Sequence, residues 1–136
     1  MATPPLSDAL FRESSPGFFR VLAGKSVGLY LDALDRLGHA ARENPSGMDR
    51  DDALALVEMA VEEHRDTLLA EEGGTAPLLS ARERARVALD HLRDTGWLEE
   101  EERSNWQRII PFHPNGLLML QTLQRIAFPG ALVFSD

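Results

Sequence analysis

The stretch from Ser80 to Phe112 constrains the fold more than any other part of the sequence. Ser80 with Glu83 three residues later forms a capping box, in which two side chains satisfy free backbone amides and open a helix. Ala85, Ala88, Leu89 and Leu92 then recur at helical spacing, and Gly96 stops the helix because it tolerates a left-handed backbone. Trp97-Leu98 and then Trp106, Ile109, Ile110 and Phe112 are strand-forming residues that flank a polar segment, Glu99 to Asn105. A capped helix that ends on glycine and passes at once into such residues predicts a hairpin. Its tip is expected at Ser104-Asn105, whose side chains hydrogen-bond their own backbone in turns.

Upstream, Tyr30, Ala33, Leu34, Leu37 and Ala41 follow helical spacing from Ser26, and the pattern ends before Asn44-Pro45. Asp49 can cap a second long helix whose stripe is Leu54, Val57, Val61 and Leu68. Phe18, Phe19, Val21 and Leu22 crowd into a short helical turn that docks before Gly24. Beyond the hairpin, Pro114 suits the first position of a final helix through Leu117, Leu120, Leu123 and Ile126, ending near Pro129-Gly130. The order predicts a mainly α chain with a small β-hairpin, a winged helix-turn-helix domain with an added C-terminal helix.

The chain has 136 residues, enough for one small domain with a real core. Fourteen Lys and Arg against twenty-two Asp and Glu leave a net charge of −8, the wrong sign for a surface that seeks phosphate backbones throughout. There is no cysteine, which excludes a disulfide framework and thiolate chemistry. The N-terminus lacks a basic region followed by an apolar one, and no apolar run approaches the roughly 20 residues that cross a bilayer. A cytoplasmic protein without membrane contact is the expectation.

Catalytic constellations are missing from the pattern. His39, His64, His91 and His113 are more than twenty residues apart, so none shares a helical face with another at metal-ligand spacing. Glu62-Glu63-His64 resembles half of a zinc-protease motif, but Leu68 stands where the second histidine belongs. No glycine-rich loop joins a strand to a helix, and Ser80 and Ser104 are explained as cap and turn. The chain reads as no enzyme, with no catalytic residue, no metal and no cofactor.

Two surfaces then compete. In a winged helix the third helix enters the major groove, so Arg82, Arg86 and Arg93 are the candidate DNA contacts of a transcription regulator. Glu83, Asp90 and Asp94 balance them, however, and Glu99 to Glu102 would set four like charges beside a phosphate backbone. The final helix is apolar nearly all round its first turn, which calls for burial in a core or cover by a partner. Phe18, Phe19, Leu117, Leu118, Met119 and Leu123 are accordingly the candidate dimer or partner interface.

Two stretches carry a family likeness. Phe18-Phe19-Arg20-Val21-Leu22-Ala23-Gly24-Lys25, running into Leu29-Tyr30-Leu31-Asp32-Ala33-Leu34, resembles the opening of the JetA subunits of Wadjet anti-plasmid systems, which are kleisins related to MukF. Ala85 to Glu99, followed by Ile109-Ile110-Pro111-Phe112 and a Leu-rich helix, is similar to that family's third helix, Gly-Trp strand and second wing strand. The likeness implies an N-terminal winged-helix domain that self-associates within a bacterial condensin-like complex. It also implies an SMC-type ATPase and a small winged-helix, MukE-like subunit as partners of the intact protein, with DNA met through the complex. ATP hydrolysis and DNA cleavage would reside in other subunits. Residues 1–16, rich in Ser, Pro and charge, are expected as a partly flexible extension and 17–128 as the winged-helix domain; such kleisins are longer, so 129–136 is expected as the start of a connection to the remainder.

Overall fold

A computed structural model of the protein describes residues 3–66 and 80–130. Helices α1 (Leu6–Glu13) and α2 (Pro16–Arg20) lead into α3 (Val27–Glu43), strand β1 (Met48–Asp49) and helix α4 (Arg50–Glu63). Helix α5 (Ala81–Asp94), strands β2 (Glu101–Glu102) and β3 (Arg108–Ile110) and helix α6 (Pro114–Ala127) follow. Among the described residues the order from α3 to β3 is helix, strand, two helices and two strands, the order of a winged helix, and α6 is the added C-terminal helix.

The helix ends lie where capping chemistry puts them. Asp49 accepts a hydrogen bond from the Asp51 amide at 3.1 Å and starts α4. Ser80 accepts from the Glu83 amide at 3.1 Å while Glu83 accepts from the Ser80 amide at 3.3 Å, completing the capping box of α5. Helix α3 stops at Glu43, where the Asn44 side chain donates to the Ala40 carbonyl and Pro45 forbids continuation. The expected extension of the second helix to Leu68 falls outside the described residues.

At the end of α5, Gly96 takes a φ of +91°, the Trp97 amide donates to the Leu92 carbonyl and the Gly96 amide to the Arg93 carbonyl. This paired closure is a Schellman motif, and it turns Trp97 directly into the interior. Trp97 is fully buried, stacks on Phe18 with ring centres 4.3 Å apart, and donates its indole N–H to the Phe18 carbonyl at 2.8 Å. Around it Leu34, Leu37, Val57, Leu89 and Leu92 form the centre of one core shared by α3, α4 and α5.

The hairpin is present but differs from the expected one. Glu101 pairs with Ile109 and Glu102 with Arg108, whereas Trp97-Leu98 contributes only a single bridge, Leu98 to Phe112. Trp106 lies in the turn and not in a strand, with a φ of +62°. A third strand joins the sheet: β1 pairs antiparallel with β3, Met48 with Ile110, giving the order β1-β3-β2. Two residues leave no periodic trace, and Gly47, at φ +100° against Ile109, lets this short edge approach. Within the stretch read as an extension, residues 6–13 are helical, with no buried side chain.

Helix α6 begins on Pro114, and His113 caps it by accepting from the Asn115 amide through Nδ1 at 3.1 Å. Only Gly116 and Leu120 are buried along its length. A Cβ on Gly116 would overlap the Trp97 carbonyl, so α6 packs against the backbone of the tryptophan itself. Gly116→Ala is therefore expected to push α6 off the domain at a cost of roughly 1–3 kcal/mol, measured by urea unfolding. Unchanged stability would show that α6 tolerates displacement from Trp97.

Candidate interaction surface

Helix α6 presents more apolar surface than the domain covers. Leu118 is 64% exposed, and Leu117, Ile126 and Phe128 are exposed as well. Across from it, the Leu6 and Leu10 side chains of α1 sit one helical turn apart, and Phe11 meets Phe19 edge to face at 6.2 Å. Between α1, α2 and α6 runs a groove of about 410 Å³ lined mainly by Leu6, Leu10, Phe19, Leu118 and Met119. Helix α1 thus stands over α6 with an apolar gap between them.

The six candidate interface residues are not brought together as one patch. Phe19, Leu118 and Met119 share the groove. Phe18 forms its floor and is only 3% exposed, because its ring belongs to the stack on Trp97. Leu123 packs against the core from a half-buried position. Leu117 turns to the other flank of α6 and lines a smaller depression with Gly38, Ala41 and Gln121. Leu6, Leu10 and Phe11 were not among the candidates, although Leu6 and Leu10 at i, i+4 already carried the signal inside a stretch rich in Ser, Pro and charge.

The candidate DNA contacts lie on α5 in different circumstances. Arg82 sits 3.6 Å from both Asp51 and Glu58. Arg93 pairs with Asp94 at 3.1 Å, Glu100 at 3.2 Å and Asp90 at 3.4 Å. Burial alone would lower the Arg93 pKa, but hydrogen bonds and charge from Asp94, Asp90 and Glu100 outweigh it and hold the value above the ordinary one. Arg86 is exposed and makes no ion pair among the described residues.

Glu100 is the centre of this charge network. Its carboxylate receives Arg50 at 2.9 Å, Arg93 at 3.2 Å and Arg108 at 3.5 Å, and Arg50 reaches Asp90 at 3.1 Å. One carboxylate at the root of the wing therefore ties the start of α4, the end of α5 and β3 together.

The histidines have separate local roles. His64 pairs with Asp32 at 2.6 Å, His39 lies 3.5 Å from Asp35, His91 packs beside the Tyr30 ring and His113 caps α6. Among the described residues no group of three or more His, Cys, Asp or Glu side chains is placed to hold a metal ion. None of the described helices is long and apolar enough to cross a membrane.

Comparison with known families now bears on this arrangement. A family model described as "Wadjet protein JetA" matches residues 37–133, more than two thirds of the chain. The chain belongs to the JetA family. It is thereby a component of a Wadjet system. The match runs from the last turns of α3 through β1, α4, α5, the wing strands and α6, and so includes the second resembling stretch but not the first, Phe18 to Leu34. No curated protein and no solved structure matches the chain.

In this JetA domain the wing root depends on Glu100, which is a fifth exposed and faces three guanidinium groups. Glu100→Ala is expected to lower unfolding stability by about 1–3 kcal/mol, since it removes the carboxylate that Arg50, Arg93 and Arg108 share and leaves Arg50 and Arg93 only Asp90 and Asp94. The loss should shrink in 0.5 M salt, where repulsion among the arginines is screened over about 4 Å. A loss below about 0.5 kcal/mol in urea titrations would place the network among ordinary solvated pairs.

Proposed function

We propose that this domain is a non-enzymatic dimerisation and assembly module, the N-terminal winged-helix domain of a MukF-like kleisin subunit in a condensin-like SMC complex that defends against plasmid DNA. The observation that carries the reading is the apolar groove of Phe19, Leu118 and Met119 under α1, next to a helix whose Leu118 is nearly two thirds exposed. A contiguous apolar surface of this kind on a small domain marks an interaction site. In a two-fold dimer the same patch serves both copies, and α6 supplies a continuous helical edge on which to repeat it.

The charge pattern supports the same division of labour. Arg82 and Arg93 are engaged by acids of their own domain, and the exposed wing carries Glu101 and Glu102. Phosphate neutralisation supplies most non-specific DNA affinity, so this face opposes duplex binding by the isolated domain. The SMC-type ATPase, the small winged-helix subunit and DNA are met through the intact cytoplasmic subunit and its complex. A DNA-binding transcription regulator would need these arginines released.

Light scattering over a concentration series tests the reading. The wild-type domain is expected at twice its 15.1 kDa mass, and Leu118→Glu at the monomer mass with an unchanged melting temperature. A wild-type monomer at every concentration overturns the dimer. Co-migration with a short duplex at physiological salt would favour the regulator.

A further inference from the structure

Trp106 is the most exposed large hydrophobic side chain among the described residues, at 85%. It occupies the tip of the wing, where the Arg103 amide donates to the Gln107 carbonyl at 2.8 Å and the Trp106 amide to the Arg103 carbonyl at 3.0 Å. These bonds enclose a three-residue turn, Ser104-Asn105-Trp106, whose last position takes a left-handed backbone that glycine normally supplies. Trp106 holds φ +62° there, and a bulky residue in that region is an outlier maintained against its own preference. The fold derives nothing from the ring in return, since the side chain lies in solvent.

The turn is also firmly presented. Arg103 donates from Nη2 to the Ser46 carbonyl at 2.7 Å, which pins the wing tip to the loop before β1. The wing root is tied down through Glu100 to Arg50, Arg93 and Arg108. A turn whose backbone is already fixed loses little freedom on association, a tryptophan has only two side-chain torsions to order, and it is enriched among the residues that dominate protein interfaces.

We propose that Trp106 is a docking anchor that inserts into an apolar pocket with a Lys or Arg rim on another protein subunit of the same Wadjet system. Charge identifies the occupant. Glu101 and Glu102 flank the tip and are exposed, Arg103 lies 3.8 Å from Glu101, and Arg108 faces Glu100. A duplex would bring phosphates against those glutamates. A second copy offering its groove to the tip would set Glu13, on the rim of that groove, against those glutamates. A protein pocket with a cationic rim satisfies both the ring and the acids. This surface lies on the wing, apart from the groove under α1, so it rests on family membership and not on the dimer.

The test uses the full subunit in a reconstituted Wadjet complex. With Trp106→p-benzoylphenylalanine, irradiation is expected to join position 106 to one other protein subunit, at a site beside Lys or Arg. Crosslinks confined to DNA or to a second copy of this chain, or none at all, overturn the proposal. Trp106→Asn supplies a separate readout, because asparagine accepts the left-handed turn. It is expected to leave the melting temperature unchanged or slightly raised while weakening binding of the crosslinked subunit by about tenfold or more. A lowered melting temperature would make Trp106 a structural residue, and binding within about twofold of wild type would remove its role as an anchor.

Discussion

Trp97 holds three parts of the chain in register at once. Its ring lies flat on Phe18, its indole N–H is bonded to the Phe18 carbonyl, and its own carbonyl accepts from the His113 amide at 3.1 Å. Helix α2, the end of α5 and the start of α6 therefore converge on one residue. Truncating a tryptophan of this kind removes roughly 3–5 kcal/mol of packing, a large share of what a small domain has in total. The position of α6 follows from it, because Gly116 lets the helix rest on the Trp97 backbone. The exposed face of α6, and with it the groove under α1, is set by where that contact places the helix.

The features legible in the sequence are those enforced locally. The Ser80–Glu83 box, the Asp49 cap, the stop before Pro45 and the turn at Gly96 each depend on atoms a few residues apart, and each stands where local chemistry puts it. What escaped depends on distant partners. Strand β1 is two residues long and exists only because β3 lies alongside. Trp106 has strand propensity, yet closure of the turn by Arg103 and Gln107 prevails over that preference. Phe18 and Phe19 are adjacent and alike in type, but Phe18 is buried in the stack on Trp97 at the floor of the groove while Phe19 stays half-buried along it, a difference that depends on the distant Trp97.

Charge placement was partly legible too. The balance of arginines and acids on α5 can be counted from the sequence, whereas the convergence of Arg50, Arg93 and Arg108 on Glu100 cannot, since their elements meet only in the folded domain. This convergence changes the meaning of the glutamate run. Glu100 acts inward as a staple, while Glu101 and Glu102 face solvent and set the sign of the surface. A single acidic segment thus splits into a structural member and an electrostatic one.

That split leaves the wing fastened at its root while its acidic strand faces solvent. A wing that reads DNA needs cations at its tip and freedom to follow the backbone, and this one is held at its root by three guanidinium groups and near its tip by Arg103 on Ser46. Such fastening of the turn suits the proposed placing of one side chain in one pocket, where a backbone fixed beforehand lowers the entropy lost on binding. The α1/α6 groove and the wing tip, the two interfaces proposed above, thus differ in character on one core: an apolar edge between helices, and a single exposed aromatic beside exposed glutamates. Trp97 makes them compatible, because it fixes the seat of α6 and stands at the start of the segment that becomes the wing.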